Sequence, residues 1–401
     1  MIQPAKRIQQ VEEYYFSRKL AEVRKLDRPE APVINLGIGS PDLAPSPETI
    51  QALSASAEKP AHHGYQNYKG IPALRQGIAE FYRSIYGVSL QPDSEVLPLM
   101  GSKEGIFHIS MAFLNEGDEV LIPDPGYPTY ASAARLAGGA VRTYAMNESL
   151  GWGIDIEALS RQDLSRVRIM WVNFPHMPTG RVASTDELTA LVDLARKNHF
   201  LIVNDNPYSL ILNEAPRSIL AVPGADEVAM ELNSLSKSHN MAGWRIGWVA
   251  GRREYIDAVL KVKSNMDSGM FLSLQHAAVE ALKLGPGWFE QLNQTYRQRR
   301  KKGESLLRAL GCSFEENQSG LFLWARVPSI IEDVEAWVDD LLYGARVFIT
   351  PGTVFGPAGK RHVRLSLCAT ESIMDEACLR IQRWKAGVAD FGSLDPKMDA
   401  A

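Results

Sequence analysis

The sequence predicts an α/β protein: a large domain with a mostly parallel seven-stranded sheet covered by helices, and a smaller α+β domain. Two observations carry this expectation. From about residue 72 to 250, short apolar runs alternate with helical segments, which implies βαβ units with helices on both faces of the sheet. After about residue 285 the rhythm changes to a long polar helix followed by strands and helices in a different order.

The elements follow in chain order. Residues 5–25 carry Ile8, Val11, Tyr15 and Leu20 near one helical face, an amphipathic pattern. VINLGIGSPD is a short strand opening into a Gly/Pro turn. PALRQGIAEFYRSIYG is helical, SEVLPLM is a strand ending at Gly101-Ser102, and KEGIFHISMAFLN is helical again. DEVLIPDPGYP, AVRTYAM, RVRIMWVNF, FLIVNDNPY, EVAMELNSLSK and RIGWVAG supply further strands, with TYASAARLAG and TDELTALVDLARKNH as helices between them. WFEQLNQTYRQRRKKGESLLRAL is a long helix, and SGLFLWARV, IEDVEAWVDDLLY, RVFITPG, HVRLSL and a last helix complete the second unit. The expected boundaries are a large domain over 42–288 and a small one built from both ends, 1–41 and 289–401.

Composition narrows the function. The 401 residues are 45% hydrophobic and 22% charged, and 43 basic against 47 acidic side chains give a net charge of −4. No global basic footprint for nucleic acid is present, and the run Arg297–Lys302 reads as a solvated helix face. Three cysteines without C-x-x-C spacing fit reduced thiols in a cytoplasmic protein better than disulfides or a zinc site. The N-terminus lacks a signal-peptide apolar core, and no run reaches the ~18 apolar residues of a membrane span.

Polar side chains gather where five strands end: Gly101-Ser102-Lys103, Asp124–Tyr127, Asn173–Gly180, Asp205–Tyr208 and Ser234–Lys237. Ligands of open α/β sheets sit beyond such ends, so the five imply one shared site. Neither nucleotide motif fits. LGIGSPD has Asp42 where a dinucleotide fingerprint needs its third glycine, and GSKEG lacks P-loop spacing. Lys237 fits another chemistry, because a lysine in a partly desolvated pocket near a cation such as Arg245 has a depressed pKa and can form a Schiff base. Asp205 would pair with a pyridine nitrogen. The amides of Gly101, Ser102 and Lys103 at a helix start, with Ser234, Ser236 and Arg245, would hold a phosphate. Those parts describe pyridoxal phosphate, an electron sink for carbanion chemistry. Each residue alone has a plainer reading: a turn carboxylate for Asp205, a solvated lysine for Lys237, a helix cap for Ser102. Their shared position at the strand ends of one sheet decides between the two.

From Asn35 to Ala369 the chain resembles the fold-type I pyridoxal-phosphate enzymes, specifically the class I/II aminotransferases, most specifically in SLSKSHNMAGWRIGWVAG and with support from GSKEGI, DPGYPTY, GIPALR and DNPY. The resemblance implies that Lys237 holds the cofactor covalently and carries the proton, and that Asp205 pairs with the ring nitrogen. It implies that Tyr208 bonds the phenolic oxygen and Tyr127 stacks on the ring. Ser102, Lys103, Ser234 and Arg245 would hold the phosphate, with Ser236 close by. Arg364 would grip the substrate α-carboxylate, assisted by the backbone of Gly39. Tyr65, with Tyr68 competing for the role, matches a tyrosine that reaches the phosphate of the neighbouring subunit, which implies a homodimer. The branch it looks most like contains alanine and LL-diaminopimelate aminotransferases, with aspartate-type relatives near, and 2-oxoglutarate is the implied acceptor. A C–S lyase on the same scaffold is the first rival. An aminotransferase-like regulator is a weaker one, since too few residues precede the matched region for a DNA-binding module.

One position departs from the family pattern. WVNFPHMPTG places Met177 where most class I/II aminotransferases carry an asparagine that donates to the phenolic oxygen. Either Met177 packs its sulfur at the cofactor edge and Tyr208 alone serves that oxygen, or Asn173 or His176 substitutes as donor.

Overall fold

The computed structural model describes residues 2–11, 13 and 15–388. Its strands are β1 (Ile34–Asn35), β2 (Val96–Leu99), β3 (Glu119–Asp124), β4 (Ala140–Asn147), β5 (Gly153–Ile154), β6 (Val167–Val172), β7 (Leu201–Asp205), β8 (Ala229–Ser234) and β9 (Gly247–Gly251). They continue with β10 (Phe322–Arg326), β11 (Val347–Phe348), β12 (Thr350–Pro351) and β13 (His362–Ser366).

The large sheet runs β2-β9-β8-β7-β6-β3-β4-β5. Strands β4, β3, β6, β7 and β8 are mutually parallel, and β9 runs antiparallel between β8 and β2. Seven of these strands were expected. The eighth, β5, is a two-residue strand added antiparallel at the β4 edge. The central strands β7 and β8 are buried at every position, as parallel strands covered on both faces must be. Helices pack closely on them: a Cβ on Gly105, in the helix Ser102–Phe113, would run into Leu232 and Leu99.

The smaller sheet, β10-β13-β12, is antiparallel, with Trp324 opposite Arg364. The helices Pro286–Leu310, Val334–Ala345 and Glu371–Lys385 surround it; residues 389–401 of the expected small unit lie outside the described ones. Near the N-terminus the chain is stitched to this part. β1 pairs in parallel with β11, Ser366 N–H donates to Leu36 O at 2.7 Å, and the Arg299 guanidinium grips Asp42 through both Nη atoms at 2.6 and 2.8 Å. Arg299 is buried, so removing Asp42 would leave a desolvated charge there, a loss that costs several kcal/mol in comparable buried pairs.

Two differences from the sequence reading have physical causes. The helix expected over 5–25 is a 3-10 turn, Lys6–Gln10, followed by an α-helix only from Tyr15 to Leu26. Ile8 is exposed, and the buried stripe is Phe16, Lys19 and Val23. Four α-helices are additional to the sequence reading: Pro47–Ala57, the short Ile156–Ser160, Arg253–Ser264 and Leu272–Ala281. The last buries Ser273 and Gln275 alongside alanines, so it lacks the apolar periodicity that announces a helix.

Candidate active site

The carboxyl ends of the parallel strands open into one cavity of about 390 Å³. Its floor is Asp205, the last residue of β7, and Ser234, the last of β8, and from beyond their ends Tyr208, Ser236 and Lys237 face the same space. Asn173 and Met177 enter from the loop after β6, and Tyr127 from the loop after β3. Ser102 and Lys103 come from the first turn of the helix Ser102–Phe113, with Arg245 beside them, and Gly39 and Arg364 complete the lining. Most of the residues singled out in the sequence thus surround a single space.

Asp205 is 5% exposed. Its Oδ2 accepts a hydrogen bond from Tyr130 Oη at 2.9 Å, while Oδ1 is buried without a hydrogen-bond partner. Burial pushes the carboxyl from its usual 3.8 up to about 6, against the opposing pull of the Tyr130 hydroxyl and the Lys237 charge. A buried acceptor left open on one side is what a protonated ring nitrogen would complete. Tyr130 was quoted in DPGYPTY but given no role. It stacks on Trp171 at 5.0 Å, and its spacing of three from Tyr127 on a helix start was the available signal.

Lys237 Nζ donates to Gly39 O at 2.6 Å. Desolvation lowers its pKa first, and the charges of Arg364 and Arg245 lower it further, while Cys368 and Asp205 oppose them. The result favours the neutral, nucleophilic amine. Tyr208 is pushed the other way by burial and stays a neutral hydroxyl donor.

The helix start is shaped for an anion. Gly101 has φ +88°, and a Cβ there would run into the Arg245 guanidinium. Arg245 itself adopts a left-handed backbone, φ 56°, a conformation with a cost for a non-glycine residue, and donates to Ala242 O at 3.0 Å. Helix dipole, amides and a cation therefore converge. Together with Lys237 and the open oxygen of Asp205, this donor set fits an aldehyde cofactor with a ring nitrogen and a phosphate.

Arg364, on β13, is oriented by an unexpected set of neighbours. Nη2 donates to Gly37 O at 2.6 Å and Nη1 to the Met177 sulfur at 3.2 Å. The guanidinium lies 3.9 Å from the centre of the Phe322 ring, 4.7 Å from Phe355 and 5.4 Å from Phe16, all within cation–π range. None of these aromatic residues was picked from the sequence, because they come from three separated segments.

The structure also sorts the alternatives at Met177. Asn173 donates to Asp205 O and accepts from Met177 N–H at 2.8 Å, so its amide braces the backbone. His176 Nδ1 pairs with Thr179 Oγ1 at 2.8 Å, and the ring stands outside the cavity lining. Met177, 5% exposed, reaches the cavity with its sulfur toward Arg364. Two expected residues are outside this lining: Gly101, which directly precedes the helix start, and Tyr65. Tyr65 is 94% exposed and lies on a different surface, with Gln66, Gly269 and Phe271.

The comparisons with known proteins agree with this geometry. The family model for aminotransferase class I and II matches residues 31–381. The chain is 39% identical to an LL-diaminopimelate aminotransferase of Dehalococcoides mccartyi over 95% of this chain and 99% of that protein. It is 40% identical to one from Oleidesulfovibrio alaskensis over 87% and 90%. Among solved structures, substrate-bound BacF from Bacillus subtilis superposes with a TM-score of 0.90 at 34% identity, covering 98% of this chain and all of that one. Aspartate aminotransferase from Thermus thermophilus with maleate does so at 0.89 and 29%, covering 96% and 100%. The chain belongs to the class I and II aminotransferases and is a pyridoxal-phosphate-dependent transaminase.

Proposed function

We propose that this transaminase moves the amine of an L-amino acid to a 2-oxo acid in two half-reactions through one site, with 2-oxoglutarate the acceptor implied by its family. The observation that carries this reading is the convergence of Lys237 Nζ, the open Oδ1 of Asp205 and the guanidinium of Arg364 on one cavity. Bound pyridoxal phosphate supplies the sink for the electron pair left on the substrate Cα. Arg364 orients the substrate by its α-carboxylate, and its guanidinium is positioned in turn by Gly37 and Met177. Lys237, its pKa lowered first by desolvation, is the group that would take the proton from the substrate Cα. Asp205 keeps a proton on the ring nitrogen, with Tyr130 fixing the carboxylate. Tyr208 offers a hydroxyl to the phenolic oxygen.

The loop bearing Tyr65 supports a homodimer. Tyr65, Tyr68, Met266 and Phe271 are all exposed, and the two loops that carry them pack together where Gly269 meets the carbonyl of Gln66. We place a second copy of the chain on this face, with Tyr65 reaching the phosphate of the neighbouring site. On this reading Tyr65→Phe weakens cofactor binding several-fold while sedimentation still shows a dimer. A monomeric wild-type holoenzyme would dismiss the shared site.

Lys237→Ala is expected to abolish amine transfer and the visible absorption of the covalently held cofactor. A variant that keeps both would refute its assignment. Release of pyruvate and ammonia from cystathionine without any oxo acid would instead identify an eliminating enzyme.

Asp205 gives a pH prediction for the cofactor-free protein. Its folded pKa, about 6, lies above the ordinary 3.8, so the folded state binds the proton more tightly. Stability is therefore highest below about pH 4 for this group and falls as pH rises towards 6, by about 3 kcal/mol in all. Apo Asp205→Asn should lose that slope and denature at a higher urea concentration than wild type at pH 7, while failing in catalysis. An unchanged slope would show that Asp205 is not the buried titrating group.

Met177→Asn restores a donor beside the phenolic oxygen. A donor there stabilises the unprotonated Schiff base, so the pH midpoint of the visible band should fall. An unmoved midpoint would mean that another donor already serves that oxygen.

A further inference from the structure

One buried polar cluster lies outside the cavity lining. Glu104 and His108 stand one turn apart on the helix Ser102–Phe113, whose start fits the phosphate. Lys263 and Asp267 join them from the end of the helix Arg253–Ser264 and the loop that follows it. These four side chains are between 1% and 8% exposed. They are buried within a single chain, so their neighbours do not depend on a second copy. The ligand atoms of Glu104, His108 and Asp267 all lie within 4.8 Å of one another. That spacing would suit a metal ion, but the chain itself supplies the cation, since Lys263 Nζ pairs with Asp267 Oδ2. His108 Nε2 faces Glu104 Oε1 at 3.4 Å, and neither atom has another partner among the described residues.

The other oxygen of Glu104 leaves the cluster for the helix start. Oε2 accepts from the Met100 N–H at 2.6 Å. A glutamate at the third helical position commonly reaches back to the capping residue. Here it reaches one residue further, across Gly101, whose φ of +88° sets the turn. The loop closed in this way contains Gly101, Ser102 and Lys103, whose amides are assigned to the phosphate. A carboxylate in the first turn suits the helix dipole, but it repels a phosphate dianion at the same end. The Lys263 ammonium, buried in the same cluster, offsets that repulsion. The far end is anchored too, because Asp267 Oδ1 accepts from Gly269 N–H at 2.9 Å. We propose that Glu104 is a positioning residue for the cofactor phosphate: it holds the 101–103 cradle in its binding shape, and His108, Lys263 and Asp267 hold Glu104. The proposal rests on the phosphate assignment above and adds the group that shapes that site. Without Glu104 the turn loses the bond that spans its glycine, a residue with wide backbone freedom. Ordering the amides would then be a cost of binding the phosphate.

The test titrates the full-length apoprotein with pyridoxal phosphate and with pyridoxal, which keeps the ring and the aldehyde but has no phosphate. Glu104→Ala should raise the Kd for pyridoxal phosphate about tenfold, the equivalent of one lost capping hydrogen bond, and leave that for pyridoxal within about twofold. Glu104→Gln, whose amide oxygen can still accept from Met100, should stay within about threefold of wild type for both ligands. A purely structural role for Glu104 would weaken the two ligands alike. If Glu104→Ala does not fold, His108→Ala decides, with a loss of about threefold for pyridoxal phosphate alone. Equal loss of both ligands in a folded variant, or wild-type affinity for pyridoxal phosphate in the alanine variants, overturns the proposal. Wild-type protein that binds pyridoxal as tightly as pyridoxal phosphate overturns the phosphate assignment itself, and the proposal with it.

Discussion

A carboxylate that is buried but only half partnered is the constraint around which this molecule is arranged. Asp205 ends a strand whose neighbours on both sides are mostly buried strands, and its Oδ1 has no hydrogen-bond partner among the described residues. Such a group destabilises the fold unless something else supplies the missing charge. The surrounding structure keeps it in place. Asn173 fastens the Asp205 carbonyl to the loop after β6, Tyr130 fastens the other oxygen, and Trp171 fixes Tyr130 by stacking. The sheet thus holds an open acceptor in a position that a cationic ring nitrogen would satisfy.

Deeper in the same sheet Glu231 is a second acid with one oxygen partnered and the other buried without a hydrogen bond. It is fully buried, yet Oε2 accepts from Asn204 Nδ2 at 2.9 Å and from Ile219 N–H at 3.1 Å. The two acids on adjacent strands differ in what they face rather than in how fully they are bonded: Glu231 ties strand to loop, and Asp205 lines the cavity. Residue type alone does not distinguish them.

The sheet and the cofactor side of the site were legible in the sequence because both depend on local patterns. Apolar runs reveal buried strands, and polar residues just past those runs reveal the cavity: Asp205, Ser234, Lys237 and Ser102 were found in this way. On the other side of the cavity the family resemblance singled out Arg364 and Gly39, but the residues that surround the guanidinium were not legible. Phe16, Phe322 and Phe355 are unremarkable in their own segments and acquire meaning only when β1–β11 pairing and the β10–β13 ladder bring them around Arg364. Tyr130 was hidden for a related reason, since its partner lies 75 residues away. The start of the first helix was misplaced because Ile8 and Val11 continue a helical pattern that no neighbouring surface buries.

The stitching of the two chain ends has a consequence for biogenesis. Lys237, Asp205, Tyr208, Arg245 and the helix start at Ser102 all lie within the first 251 residues of the 401, so a growing chain possesses the cofactor-side residues well before it is complete. The substrate pocket needs Phe16 from one end and Arg364 from the other, with Phe322 and Phe355 between. A partly synthesised or C-terminally cleaved chain thus has groups that can capture an aldehyde but none that can orient an amino acid beside it. On the proposed assignment, amine exchange would wait until the strand β13 that carries Arg364 has docked, so completion of the fold would itself guard against unguided chemistry on a reactive carbonyl.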